Sequence, residues 1–247
     1  MQYRANLVMW LVVGAIQPLT MVLVWFVILG SRTSVAGYDR GDFILYYIFM
    51  TVGWYIVGGA FCRQVGNAIH NGEINKTLLK PYNIVVAEAI TEQAWKLTSL
   101  FVTTPILIVV LYLMRNYIMW KIIPGQWLYI IGVLVLGAVI FALIQAIVGI
   151  LAFWVTEIWP FAETVDVVLY LFGGMLAPIE LMPQAIQRIT VYLPFRYVLY
   201  EPARMLLGTQ PDPLGVLWKQ TVFVVILFVI YRLVWRAGIR RYEGIGG

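Results

Sequence analysis

Charge is what this sequence has least of. Asp, Glu, Lys and Arg make up 12% of its 247 residues, while 62% are hydrophobic. An ordinary soluble domain is about 25% charged. With a mean hydropathy of +0.86, the deficit excludes a typical soluble fold and indicates an integral membrane protein. Cysteine is nearly absent. Cys62 stands alone, which excludes an internal disulfide framework and suits a small buried side chain. Histidine is as scarce: His70 and Cys62 leave too little for a Cys/His metal site. No nucleophile–base pair or metal set stands out, which argues against a membrane-embedded enzyme. The phosphate loop G-x-x-x-x-G-K-[ST] is missing, so the chain is not expected to bind ATP in that way. The net charge of +5 is modest. It suggests anionic headgroups before nucleic acid.

What the chain does have is long apolar runs. About 20 apolar residues cross a bilayer. Leu7 to Leu29 is the first such run, too long for a signal peptide, whose apolar part is about 7–15 residues. Gln17-Pro18 interrupts it. Phe43 to Cys62 is the second, with Gly53, Gly58 and Gly59 small enough for close helix packing. Leu97 to Met114 is the third. Ile122 to Thr156 contains the fourth, near 126–153. There Ala138, Ala142, Ala146 and Gly149 form a small-residue face. Gln145 lies beside that face, as a substrate contact or as an interhelical hydrogen bond. Phe161 to Ile179 is the fifth. Glu163 and Asp166 fall in its first two turns, either as an ion or proton relay or as acids favoured at a helix N-terminus. Leu214 to Trp235 is the sixth.

Two polar intervals separate these runs. Arg63 to Lys96 has no bilayer-length apolar stretch and is expected outside the hydrocarbon. Gly72 should end a short helix there, and Ile84 to Lys96 is an amphipathic approach to the third span. Glu180 to Pro213 is broken by Pro183, Pro194, Pro202, Pro211 and Pro213, which leaves only short pieces. The expectation is an all-α integral membrane protein, one domain over 1–247. It has six transmembrane helices, a cytosolic coupling segment and short re-entrant or interfacial helices before the last span. An even span count puts both termini on one side. Lys and Arg divide almost evenly between the two sides, but the cluster Arg232, Arg236, Arg240 and Arg241 favours a cytosolic C-terminus.

In order and spacing the chain resembles the permeases of type-2 ABC exporters, in the six-span branch called ABC-2 family transporter proteins. Gln2-Tyr3-Arg4-Ala5-Asn6 opens the first span. Gly72-Glu73-Ile74-Asn75-Lys76-Thr77-Leu78-Leu79-Lys80-Pro81 follows the second, where the family has its coupling segment. Gly174-Met175-Leu176-Ala177-Pro178 through Leu193-Pro194-Phe195 precedes the last, where the family has two short re-entrant helices. One departure is that only Met1 to Asn6 precede the first span, where the family usually has an interfacial helix. The resemblance implies a non-catalytic permease subunit in the cytoplasmic membrane. It would pair with a second permease, the same chain or a different one, and with two copies of an ABC ATPase that binds ATP and Mg. Gly72, Glu73, Ile74, Leu78, Leu79, Lys80 and Pro81 would meet that ATPase. Gln17, Gln145, Glu163 and Asp166 are candidates for the translocation path. The aromatic, apolar spans suit a hydrophobic or amphipathic cargo. The competing reading is a self-sufficient channel or ion-coupled carrier that uses Glu163 and Asp166.

Overall fold

The computed structural model describes residues 16, 18–74, 83–121 and 125–242. Among these, the chain is helical apart from turns and an isolated bridge between Val35 and Tyr38. Helix α1 is Pro18–Leu29. Then come α2 (Arg40–Val57), α3 (Phe61–His70), α4 (Ile84–Met114), α5 (Gln126–Ile150) and α6 (Trp159–Phe172). Two short helices, α7 (Gln184–Thr190) and α8 (Tyr200–Leu206), lead to α9 (Pro213–Arg241).

Side chains at the helix starts explain several boundaries. Asp39 Oδ1 accepts from the Asp42 amide at 2.8 Å, and Asp42 Oδ2 accepts from the Asp39 amide at 3.1 Å. This reciprocal pair satisfies amides that the first turn of α2 leaves open. Lys121 Nζ, 2.7 Å from Asp42 Oδ1, ties the same cap to the chain ahead of α5. Asn83 caps α4 by accepting from the Val85 amide at 2.9 Å. Asp212 does the same for α9, with Pro213 in its first turn.

Packing is most extensive between α5 and α9; α3 lies along α5, and α2 touches both α4 and α5. A Cβ on Gly149 of α5 would sit 3.0 Å from the Cys62 carbonyl oxygen. Without side-chain bulk there, α3 and α5 approach closely. In lipid, such packing holds helices together, since tails offer no hydrophobic drive. The exposed apolar side chains of α4 and α9, Phe101 and Leu233 among them, suit contact with those tails. One buried cluster gathers Phe43, Tyr46, Phe141, Leu199 and Tyr200 toward the α8 end. A second gathers Phe61, Val65, Ile69, Ile150, Ile158 and Tyr231 toward the α3 end.

Four stretches are long and apolar enough to cross a membrane: Arg40–His70, Ile84–Tyr117, Gln126–Phe153 and Pro213–Arg241. This differs from the six expected. The fifth expected span, 161–179, forms a helix only to Phe172, and α6 has 14 residues. At 1.5 Å per residue it reaches about 21 Å, short of the roughly 30 Å hydrocarbon core. Gly173 caps it, and Gly174 turns the chain away at φ +81°. Of the first expected span, α1 and Ile16 are described, and the remainder lies outside the described residues. The second does not run unbroken to Cys62: α2 stops at Val57, and α3 restarts at Phe61. Gly58 and Gly59 therefore mark a break as well as small residues. The amphipathic approach Ile84 to Lys96 and the third span are one 31-residue helix. Between Glu180 and Pro213 the helices have seven residues each, as the prolines predict.

Candidate functional site

The break between α2 and α3 is the feature around which polar side chains collect. Interrupting a helix inside an apolar bundle leaves backbone groups that water cannot reach, so the protein must satisfy them. Gln93 of α4 donates from Nε2 to the carbonyls of Tyr55 and Ile56, at 3.3 and 2.9 Å. Glu92, its neighbour, accepts from the Ala60 amide at 3.4 Å. Gln145 of α5 accepts from the Cys62 amide at 3.4 Å. Of the two readings open for Gln145, the structure realises the interhelical hydrogen bond. The side chain is 1% exposed and completes the first turn of α3.

Past the break, α3 is strapped at two points, to α6 and to the α5–α6 connection. Arg63 Nη2 lies 2.6 Å from Glu163 Oε1 and 3.3 Å from Asp166 Oδ2, both on α6. Its guanidinium lies over the Trp159 ring, 4.5 Å from the centroid, a stacking that favours Arg over Lys. Arg63 and Asp166 are 24% and 31% exposed and Glu163 is 56% exposed. The Asp166 arm is thus better shielded from solvent than the Glu163 arm. Arg63 Nε and Asp166 Oδ1 are buried without a hydrogen-bond partner. At the far end of α3, His70 Nε2 lies 3.1 Å from the Ala152 carbonyl oxygen and 2.9 Å from that of Val155. Both partners only accept, so Nε2 carries the proton. Helix α3 is therefore a short lever, tied by Arg63 to α6 and by His70 to the chain that leads into it.

Gly72 ends the lever at φ +73°, a left-handed conformation that glycine adopts freely. Its amide donates to the Ile69 carbonyl at 3.2 Å. Glu73 is exposed. Ile74, expected to meet a partner, is instead 1% exposed and packed with Phe61, Val65, Ile69 and Ile84 of its own chain. It anchors the start of the segment. Leu78, Leu79, Lys80 and Pro81 lie outside the described residues, as does Gln17.

The structure brings Glu163 and Asp166 together with each other and with Arg63, but not with Gln145, which serves the backbone on another face of α3. Sequence reasoning counted Arg63 and His70 only as polar residues of an interval. It placed Glu92 and Gln93 only within the amphipathic approach Ile84 to Lys96. The signal available was the Gly58-Gly59-Ala60 run, which predicts orphaned backbone and hence buried polar partners nearby.

This arrangement of apolar spans, a broken second span and a polar segment attached to a pinned lever can be set against known proteins. A family model described as ABC-2 family transporter protein matches residues 15–246. No individual curated protein matches the chain. The match covers the four spans, the lever and the short helices before α9, and it agrees with a membrane-embedded transport component. The chain belongs to the ABC-2 transporter family.

Proposed function

We propose that this chain is the permease subunit of an ATP-driven exporter, moving a hydrophobic or amphipathic substrate across the cytoplasmic membrane. Membership in the ABC-2 family supports the transport role. The observation that carries the finer reading is the α3 lever. The segment from Gly72 to Pro81 leaves its end, Arg63 ties it to α6, and His70 ties it to the connection that leads into α6. A push on that segment therefore reaches the bundle through fixed polar contacts. ATP and Mg are bound and ATP is hydrolysed on two copies of a partner ATPase, with a second permease, identical or different, completing the membrane part. The whole chain acts as one domain that crosses six times, the chain beyond Gly173 completing the passage that α6 begins. In the carrier reading, Glu163 and Asp166 would be free to load an ion. Their shared Arg63 supports the lever reading instead.

The experiment is affinity purification of the tagged chain from its native membrane. An ABC ATPase should co-purify at about one copy per permease, and vesicles holding the complex should transport only with ATP. A chain that moves substrate down an ion gradient without the ATPase would overturn the proposal.

Orientation gives a separate expectation. The basic residues Arg232, Arg236, Arg240 and Arg241 put the α9 C-terminus in the cytosol, and an even number of crossings puts the N-terminus there too. With Cys62 replaced, single cysteines at Asn75 and Gly246 should resist an impermeant thiol reagent in intact cells and react after lysis. Labelling of either site from outside would reverse the topology.

A further inference from the structure

Beyond the lever, a second polar cluster lies toward the opposite end of the bundle, in the short helices before α9. Its floor is a network of buried ions. Glu201, whose side chain is 4% exposed, accepts from Arg196 Nε at 2.6 Å and lies 3.5 Å from Arg204 Nη1. It also accepts from the Gln210 amide group. Glu180 lies 3.2 Å from Arg204 Nε and accepts from the Tyr38 hydroxyl at 3.0 Å. Both guanidinium groups lie over the Tyr200 ring, 5.1 and 5.8 Å from its centroid. Burial first, then the Glu180 carboxylate, raises the Tyr200 phenol far above its usual range, so it stays neutral.

Above this floor is a cleft of about 530 Å³, lined by Glu180, Gln187, Arg188, Arg196, Tyr200 and Arg204 among others. That volume falls in the range of small-molecule sites, about 300–1,000 Å³. Three guanidinium groups face one carboxylate on its walls, and the floor holds two of the three in fixed positions. Arg196 uses two of its five N–H groups, on Glu201 and Thr190. Arg204 is largely committed, to Glu180, Glu201 and the Thr209 carbonyl. Arg188 has neither an ion pair nor a hydrogen bond among the described residues and is exposed. Donors are left over on Arg188 and Arg196, and those of Arg196 are held in place by Glu201.

We propose that this cleft binds a phosphate group carried on a polyol-sized headgroup. A carboxylate is satisfied by a single forked arginine, and Glu180 already offers one to Arg204. Glu201 and Glu180 offset two of the three positive charges, which leaves one net charge and several unused guanidinium N–H groups, a match for a phosphate ester with its many acceptor oxygens. The cleft has room for more than a bare oxyanion, so the phosphate is read as part of a larger headgroup. The same chemistry is available from an anionic phospholipid or from a soluble phosphorylated molecule. Exposed Ile189, Val191 and Tyr192, the last 81% exposed, adjoin Arg188. Apolar and aromatic side chains next to a basic one are the composition of a membrane interface, so the lipid is the expected source.

The site is independent of the exporter reading, because binding is measured on the purified full chain without ATPase or ATP. Calorimetric titrations in zwitterionic micelles would use dioctanoyl phosphatidylglycerol, glycerol 3-phosphate and glycerate. The lipid should bind saturably, at least tenfold tighter than glycerol 3-phosphate, with glycerate weakest. If glycerol 3-phosphate binds as tightly as the lipid, the phosphate site stands and its source is soluble. Arg188→Glu, at an exposed position that holds nothing else in place, should weaken phosphate binding at least tenfold without changing the melting temperature. Glu180→Gln, which removes the wall's negative charge, should tighten it. Absence of saturable binding by either phosphate probe, unchanged affinity in Arg188→Glu, or glycerate binding as tightly as glycerol 3-phosphate would each overturn the assignment.

Discussion

Leu78→Asp is expected to release the ATPase and abolish ATP-driven transport while leaving the chain inserted in the membrane. The segment Gly72 to Pro81 offers Ile74, Leu78 and Leu79 as its larger apolar side chains. Ile74 is committed to this chain's own core, so the apolar contact with a partner falls to Leu78 and Leu79. A leucine buried in a groove contributes about 1.5–3 kcal/mol. An aspartate there forfeits that and adds the cost of desolvating a charge, several kcal/mol more unless it finds a partner. Each 1.4 kcal/mol is tenfold in affinity, so the complex should weaken by roughly two orders of magnitude or more. Glu73 and Lys80, as rim charges, should change binding far less and mainly alter the on-rate and its salt dependence. The measurement is the amount of ATPase retained on the tagged permease at matched expression, with transport assayed in the same vesicles. If Leu78→Asp holds its ATPase and transports normally, the coupling contact lies elsewhere.

Arg63→Glu is expected to separate ATP hydrolysis from transport. The substitution puts a third carboxylate beside Glu163 and Asp166, turning the strap between α3 and α6 into a repulsion. Breaking a fully buried ion pair costs about 3–5 kcal/mol. Here Glu163 is more than half exposed and Arg63 is about a quarter exposed, so solvent screening brings the cost down to about 1–3 kcal/mol. The protein should therefore still fold and still bind its ATPase through the Gly72 to Pro81 segment. The lever would no longer move α6, and transported substrate per ATP should fall at least tenfold. His70→Ala removes the second strap and should act in the same direction. The combination Arg63→Glu with Glu163→Arg, which restores one opposite pair, should recover part of the coupling. A merely structural role would lower expression, ATPase binding and transport together, with no recovery in the double variant. Normal coupling in Arg63→Glu would remove the strap from the mechanism.

The sequence by itself determined the solvent in which this chain lives. A 62% hydrophobic composition needs no tertiary information to exclude water, because transfer free energy adds residue by residue. It also located the positions at which helices stop. The five prolines from Pro183 to Pro213 predict short pieces, since each removes a backbone donor wherever it lies, and Gly72 ends its helix for an equally local reason. The order of spans and polar segments was enough to suggest the family.

Tertiary structure alone decided what the polar residues do. Glu163 and Asp166 looked the same in sequence whether they serve as a relay or sit at a helix start. Arg63, a hundred residues from Glu163, pairs with both, and no periodicity reports a pairing at that separation. Gln145 was open between substrate and helix contact until the Cys62 amide, exposed by a break in a different helix, claimed it. Ile74 had the spacing of a docking residue, yet it is buried at home. The length of α6 was overestimated for a related reason. Apolarity extends through Ile179, but a helix continues only while its backbone finds partners, and Gly174 turns the chain to bring its carbonyl to the Tyr46 hydroxyl at 2.7 Å. Hydrophobicity is a property of each residue and can be read along the chain. A buried polar group is explained only by the partner that satisfies it, and that partner is chosen by the fold.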